Sequence, residues 1–278
     1  MAKKSKQATE IKTVEQGLPL PPNMPAIPPE MEKKLKAIKD KLDKFKDKVL
    51  DKFGDYIVGI TLLPPEKPQK EGEAKEGEQK AEKKEGDENK INVMVVVDDT
   101  TSQKMTKDEL FNKFSSAVKQ IGEEVDKDIT PQWALLTDIW QNCYDAKYDL
   151  NRLISMSAPL HDTGMLAAIK IAEIHKSMVI KKFEKYILSY VLAGSLTQGK
   201  ATPTSDIDVW IVIDDTDVKK MSRIELKDKL RAIIIGMGAE AGEITGIKNK
   251  LNIQVYILTD FWESLKEANP IIFTLLRD

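Results

Sequence analysis

The chain has 278 residues, of which 41% are hydrophobic, enough for one large core or two ordinary ones. With 43 Lys+Arg against 45 Asp+Glu the formal net charge is −2, which excludes a global basic field for non-specific nucleic-acid binding. One cysteine, Cys143, and two histidines, His161 and His175, exclude a disulfide framework and any multi-cysteine or His-rich metal centre, so a reducing, cytoplasmic setting is the expectation.

Residues 1–28 combine lysines and glutamines with a proline cluster (Pro19, Pro21, Pro22, Pro25, Pro28) and read as a disordered tail. No apolar core follows the early lysines, and no later stretch reaches the roughly 18 apolar residues of a membrane span. Met31, Leu35, Ile38, Leu42, Phe45 and Val49 then recur at alternating steps of four and three, the stripe of an amphipathic helix packed on its own domain. A stretch of Glu and Lys at 66–90 contains no large apolar side chain and reads as a solvated low-complexity loop. The β-branched run Ile91–Val97 is expected to be an interior strand covered on both faces, and Thr106-x-x-Glu109 to start the next helix as a capping box.

Further along, Met165–Phe183 reads as a helix, Tyr190–Ala193 as a strand, Val209–Ile213 as a second covered strand, Ser222-x-x-Glu225 as another capping box and Leu251–Leu258 as a strand. The landmarks of the second half repeat those of the first in order. Phe53-Gly-Asp-Tyr56-Ile corresponds to Phe183-Glu-Lys-Tyr186-Ile, and VMVVVDD at 93–99 to VWIVIDD at 209–215. Lys104–Leu110 corresponds to Lys220–Leu226, and LLTDIW at 135–140 to ILTDFW at 257–262. The expectation is a tandem duplication in which each copy runs helix, strand, strand, helix, strand, helix. The fold class is α/β (α+β): two tandem mixed sheets with helices packed on them. The copies span 29–163 and 164–278.

The chemistry is concentrated in the second copy. Strand Tyr190–Ala193 runs into Gly194-Ser195, a turn-forming stretch follows, and Asp206-Ile-Asp208 heads the next strand. Period two along that strand places both carboxylates on one face. Two hard oxygen ligands suit Mg²⁺ or Mn²⁺, whose shell is completed by water and substrate phosphates. Gly194 allows a phosphate close to the backbone, and Ser195 adds a hydroxyl donor.

The segment GSLTQGKATPTSDID at 194–208 resembles the nucleotidyltransferase superfamily of DNA polymerase beta, in its minimal nucleotidyltransferase branch. The resemblance implies that Gly194 and Ser195, with Lys200 and Ser205, hold the nucleotide, and that Asp206 and Asp208 are catalytic residues and metal ligands. The implied reaction moves a nucleoside monophosphate from an NTP to a hydroxyl on RNA, protein or a small molecule and releases pyrophosphate. Two departures stand out. The family's third carboxylate falls on the strand at 251–258, where the candidates are Asn252 and Gln254, and Gln254 is taken as the candidate further ligand. Gln198 stands where many relatives carry an arginine. In the first copy Pro64-Pro65 aligns with Gly194-Ser195, and Lys90 and Asn92 with Asp206 and Asp208, so that copy reads as a degenerate, pseudo-enzyme domain.

Other polar residues have plainer readings. Asp98-Asp99 and Asp214-Asp215 occur in both copies and read as strand-end turns. His175 reads as a packed histidine, His161 as part of a terminal strand and turn, Cys143 as a small core residue, and Trp140 and Trp262 as core anchors. Lys248-Asn-Lys250 reads as a solvated loop as readily as an acceptor contact. Beside the transferase stand a catalytically impaired nucleotide-binding or interaction protein on the same fold, and nucleic-acid binding in the groove between copies. A protein partner or a homo-oligomer is compatible with each. Residues 138–156 align without gaps on 260–278, where the second copy stops, so it is expected to lack its last strand and the chain to be a truncated product or fragment.

Overall fold

The computed structural model describes residues 29–65, 90–100, 107–218 and 220–277. The tail at 1–28, nearly all of the charged loop at 66–90 and the Thr106 cap lie outside the described residues. The chain divides into two units, 1–39 and a compact unit 40–278. Among the described residues there are eight α-helices and two mixed sheets, in agreement with the α/β (α+β) reading.

Helix α1 (Pro29–Phe53) carries the expected stripe, and Leu42, Phe45 and Val49 are buried, whereas Leu35 is exposed. Each fully buried side chain of this size contributes about 1.5–3 kcal/mol. The first sheet is β1 (Ile57–Leu62), β2 (Ile91–Val97), β3 (Ile129–Leu135) and β4 (Ala158–Asp162), in the order β3-β2-β1-β4. β2 runs antiparallel to β1 and parallel to β3, with α2 (Lys107–Val125) as the crossover. Helices α3 (Leu136–Tyr144) and α4 (Asp149–Met156) lead into β4, which pairs antiparallel with β1 and carries His161.

Helix α5 (Met165–Phe183) opens the second half. Asp162 accepts hydrogen bonds from the backbone amides of Gly164 (2.8 Å), Leu166 (2.9 Å) and Ala167 (2.8 Å), closing the helix N-terminus. The second sheet, in the order β5-β6-β7, comprises β5 (Ile187–Ala193), β6 (Ile207–Ile213) and β7 (Leu251–Ile257). β5 is antiparallel to β6, and β6 is parallel to β7 through α6 (Arg223–Thr245). Ser222 caps α6 by accepting from the Glu225 amide at 3.3 Å, while the Glu225 carboxylate turns away to Lys229 at 2.8 Å instead of closing the box. Helices α7 (Leu258–Lys266) and α8 (Pro270–Arg277) follow.

The two sheets share details beyond strand order. Asn92 pairs with Thr130 as Asp208 pairs with Asn252. The Asp98 amide donates to Tyr56 O and the Asp214 amide to Tyr186 O, both at 2.8 Å. Asp99 accepts from the amide and hydroxyl of Thr137 at the start of α3, and Asp215 does the same with Thr259 in α7. Ala146 and Ala268, just after α3 and α7, both adopt positive φ (57° and 56°). The Asp-Asp doublets therefore hold strand ends and helix starts, as strand-end turns. Buried residues of both sheets belong to one continuous core cluster, from Val58 and Val96 through Leu136 to Val209 and Ile257.

Two sequence expectations need correction. Val93–Val97 of β2 is buried throughout, and in β6 Val209, Ile211, Val212 and Ile213 are buried, but Asp208 and Trp210 are half-buried, so the face they share with Val212 is open at the strand's first half. Trp140 packs against the core, whereas Trp262 is 51% exposed, stands apart from the core cluster and meets the Phe261 ring edge-on.

His175 is fully buried. Its Nε2 lies 3.1 Å from Ile234 O, which can only accept, so Nε2 carries the proton, and the Tyr190 hydroxyl sits between Nδ1 at 2.9 Å and Ala172 O at 3.2 Å. Burial holds the imidazole below its ordinary pKa of 6.5 and pushes the Tyr190 phenol well above its own. The unfolded chain therefore binds more protons near and below pH 6.5, so this group's contribution is present above that pH and is lost as pH falls towards the folded pKa. Urea midpoints at pH 7.5 and 5.5 should show a lower value at the acidic pH, and the difference should shrink in His175→Gln. An unchanged difference in the variant would reject the assignment to His175.

Candidate active site at the Gly194 turn

β5 ends at Ala193 directly opposite Asp208 in the β5–β6 register, and the chain turns there at Gly194 with φ of 78°. A Cβ at Gly194 would overlap Oδ2 of Asp208, so both the backbone conformation and the close approach require glycine. Leu196, 1% exposed, is sunk into the core cluster and anchors the turn. Thr197 Oγ1 donates to Gly194 O at 3.0 Å, and the Lys200 amide donates to Ser195 O at 2.9 Å. Gly199, with φ of 70°, rests on the first sheet's side, where a Cβ would lie 3.2 Å from Leu136 Cδ2 and 3.4 Å from Thr100 Oγ1. Gly164 admits the returning segment, since a Cβ there would fall 2.5 Å from the carbonyl carbon of Thr202.

Asp208 Oδ1 accepts from Asn252 Nδ2 at 2.8 Å, and Asn252 Oδ1 faces Gln254 Nε2 at 3.4 Å. A row of Asp208, Asn252 and Gln254 thus crosses the parallel strand pair. Next to it, Trp210 of β6 and Tyr256 of β7 stack at 5.6 Å with an interplanar angle of 12°. These residues line a cavity of about 590 Å³. Gly194, Thr197 and Gln198 form its polar end, and Val191, Ile271 and Leu275 its apolar flank. Helix α8 closes that flank, with Pro270 as its first residue and the Asn269 side chain accepting from the Ile271 amide at 3.0 Å.

The candidates from sequence separate into two groups. Gly194, Asp208 and Gln254 converge on the cavity together with Asn252. Ser195, Lys200, Ser205 and Asp206 do not line it. Asp206 stands exposed one residue ahead of β6. Ser205 Oγ is engaged by its own loop, accepting from the Thr202 amide at 3.0 Å, and Lys200 Nζ lies 3.5 Å from Gln198 Oε1. Lys248 and Lys250 are exposed, and between them Asn249 Nδ2 donates to Ser205 O at 2.9 Å, fixing the loop just before the Asp-x-Asp segment. Sequence reasoning missed the Trp210–Tyr256 stack. The signal was there, because Trp210 follows Asp208, and Tyr256 follows Asn252 and Gln254, in steps of two.

The donor set fits one divalent ion such as Mg²⁺ or Mn²⁺. Asp208 brings one hard carboxylate to the cavity, and an Mg²⁺ shell takes one or two carboxylates and is completed by water and phosphate oxygens, while Asp206 stands outside the lining. Such an ion supplies charge neutralisation on a phosphate. A second ion is not matched in the same way, since Asn252 and Gln254 are neutral amides. Among the described residues no group of three or more His, Cys, Asp or Glu side chains is placed to hold a metal.

Residues 173–269 match the family model described as the nucleotidyltransferase domain, a segment that contains the Gly194 turn, β6 and β7. The match supports nucleotidyl transfer as the general activity of this segment, with an NTP as donor. No curated protein and no solved structure matches the chain. Among the described residues no helix is long and apolar enough to cross a membrane.

Replacing Gly194 by alanine costs about 1 kcal/mol in backbone strain alone and forces Asp208 aside. On the nucleotidyl-transfer reading, Gly194→Ala should bind an NTP at least about tenfold more weakly by calorimetry, equivalent to about 1.4 kcal/mol, because Asp208 is displaced, with an unchanged circular dichroism spectrum. Wild-type affinity would show that the close approach is irrelevant to the site.

Proposed function

We propose that the chain is a metal-dependent nucleotidyltransferase that moves a nucleoside monophosphate from an NTP to a hydroxyl acceptor and releases pyrophosphate. The observation carrying this reading is the contact of Gly194 with Asp208 at the polar end of the cavity, inside the segment that matches the nucleotidyltransferase domain. On this reading the Gly194 turn, with Ser195 and Lys200, receives the β- and γ-phosphates, Asp208 and Asp206 hold one ion, and Asn252 orients the Asp208 carboxylate. The chain's own contribution is positioning: a rigid turn, a fixed carboxylate and an apolar wall that excludes water from one side of the reacting phosphate.

The two sheets are on the same reading two copies of one unit, the first of them without chemistry. In support, Asn92 and Thr130 occupy the register positions of Asp208 and Asn252, and Pro64-Pro65 follows β1 where Gly194-Ser195 follows β5. A second reading, nucleotide binding with little turnover, is favoured by one observation. Asn252, the neighbour of Asp208 across the strand pair, is an amide that cannot take a proton or neutralise an ion.

A pyrophosphate-release assay with each NTP and Mg²⁺ or Mn²⁺ separates the two. Asp208→Asn should abolish metal-dependent binding and release alike. Asn252→Asp should tighten metal binding and raise any turnover by about tenfold or more, because a second carboxylate beside Asp208 favours a bound cation. Tight NTP binding without pyrophosphate in the wild type would select the binding reading. Release unchanged in Asp208→Asn would remove the site altogether.

A further inference from the structure

The cavity contains a feature that nucleotide binding does not use. All but one of its lining residues lie between Val191 and Leu275; the exception is Tyr144, the last residue of α3, from the first half of the chain. Its side chain is 79% exposed, and no hydrogen bond of its hydroxyl is recorded among the described residues. The two threonine hydroxyls in the lining are committed, Thr197 donating to Gly194 O at 3.0 Å and Thr274 to Pro270 O at 2.9 Å, and Tyr256, the other phenol of the lining, has its ring stacked on Trp210 and against the edge of Phe261. The helix that carries Tyr144 is fixed at both ends. Thr137, bound by Asp99, fixes the start of α3, and its end is closed by the Asp145 amide donating to Gln141 O at 2.9 Å and the Lys147 amide to Asn142 O at 2.8 Å.

The lining contains no lysine or arginine among the described residues. A phosphate-rich acceptor entering the cavity would meet no lysine or arginine side chain, and the one ion of the transferase reading is engaged by the donor triphosphate, which disfavours nucleic acid as the partner in the reaction. A neutral hydroxyl on an aromatic ring, beside apolar walls, suits the lining better.

We infer that Tyr144 is itself a nucleotidyl acceptor, so that the protein modifies its own first half at the mouth of the cavity. The inference rests on the nucleotidyltransferase reading above. In the step, the phenolic oxygen of Tyr144 forms a bond to the α-phosphorus of the NTP. The bond from that phosphorus to the oxygen bridging to the β-phosphate breaks, pyrophosphate leaves, and the phenolic proton passes to solvent at the open mouth. The product is a tyrosyl nucleoside monophosphate ester that occupies the cavity.

The test uses the full chain with each α-labelled NTP and Mg²⁺ and no added acceptor. Label is expected at Tyr144, located by peptide mass spectrometry. Tyr144→Phe keeps the ring and removes only the hydroxyl, so it should lose the label while binding Mg²⁺–NTP with wild-type affinity. A readout independent of turnover accompanies it: a saturating non-hydrolysable NTP analogue with Mg²⁺ should slow nitration of Tyr144 by tetranitromethane several-fold. Label elsewhere, undiminished label in Tyr144→Phe, or metal-dependent NTP binding with neither label nor protection would overturn the inference and leave the nucleotide site standing. Absence of metal-dependent NTP binding would overturn the transferase reading and this inference with it.

Discussion

Asp208 can occupy its position only because residue 194 has no side chain. A Cβ would lie 2.2 Å from Oδ2 of the carboxylate, and the turn adopts a φ of 78° that other residues reach only with strain. The other parts of the site follow from that contact. Leu196 can sink into the core because the chain has already reversed at Gly194, and the reversal carries Gly199 onto Leu136 and Thr100. The turn is held by Leu196 in the core and by its own bonds, Thr197 to Gly194 O and the Lys200 amide to Ser195 O, while Asp208 on one side and Leu136 on the other leave it no space to widen. A turn clamped in this way loses little further conformational freedom when a ligand fills it, which is the physical content of preorganisation.

The same framework holds both sheets and is separable from the chemistry. In each, the second aspartate of a doublet ties the end of the middle strand to a threonine at the start of the helix after the parallel strand. In each, a left-handed alanine ends that helix. These carboxylates are spent on backbone amides and hydroxyls, which is why four acidic residues at strand ends form no ion site. The register positions of Asp208 and Asn252 are taken by Asn92 and Thr130 in the first sheet. On the two-copy reading, framework and chemistry thus rest on different residues.

Much of the fold was legible because local patterns were consistent. The Leu42, Phe45 and Val49 stripe, the β-branched runs and the Ser222 cap each point to the element observed. What escaped sequence reasoning depends on three-dimensional proximity. Asp162 reads as one more polar residue after a strand, yet it caps α5 through three backbone amides. Trp262 and Trp140 occupy equivalent places in their motifs, yet Trp262 faces outward from α7. Short helices such as α4 and α8 give too few turns for a period to emerge. In the site, spacing alone made Asp206 and Asp208 a pair, but β6 begins at Ile207, and strand pairing fixes Asp208 more firmly than its neighbour.

Electrostatics constrains what can enter the cavity. The lining carries one formal charge, the Asp208 carboxylate, flanked by the neutral amides of Asn252 and Gln254, and Lys200 stands outside it. A triphosphate carries several negative charges, and none of the lining side chains neutralises them. Bringing such an anion against a carboxylate in a partly desolvated pocket is unfavourable unless a cation comes with it. On the transferase reading, nucleotide and divalent ion must therefore bind as one complex, each providing what the other lacks: the ion offsets repulsion between Asp208 and the phosphates, and the phosphates complete a shell that the Asp208 carboxylate leaves open. The apolar end imposes the complementary requirement. Trp210, Tyr256, Val191 and Leu275 offer area and stacking but no charge, so the group that settles there has to be largely uncharged and flat.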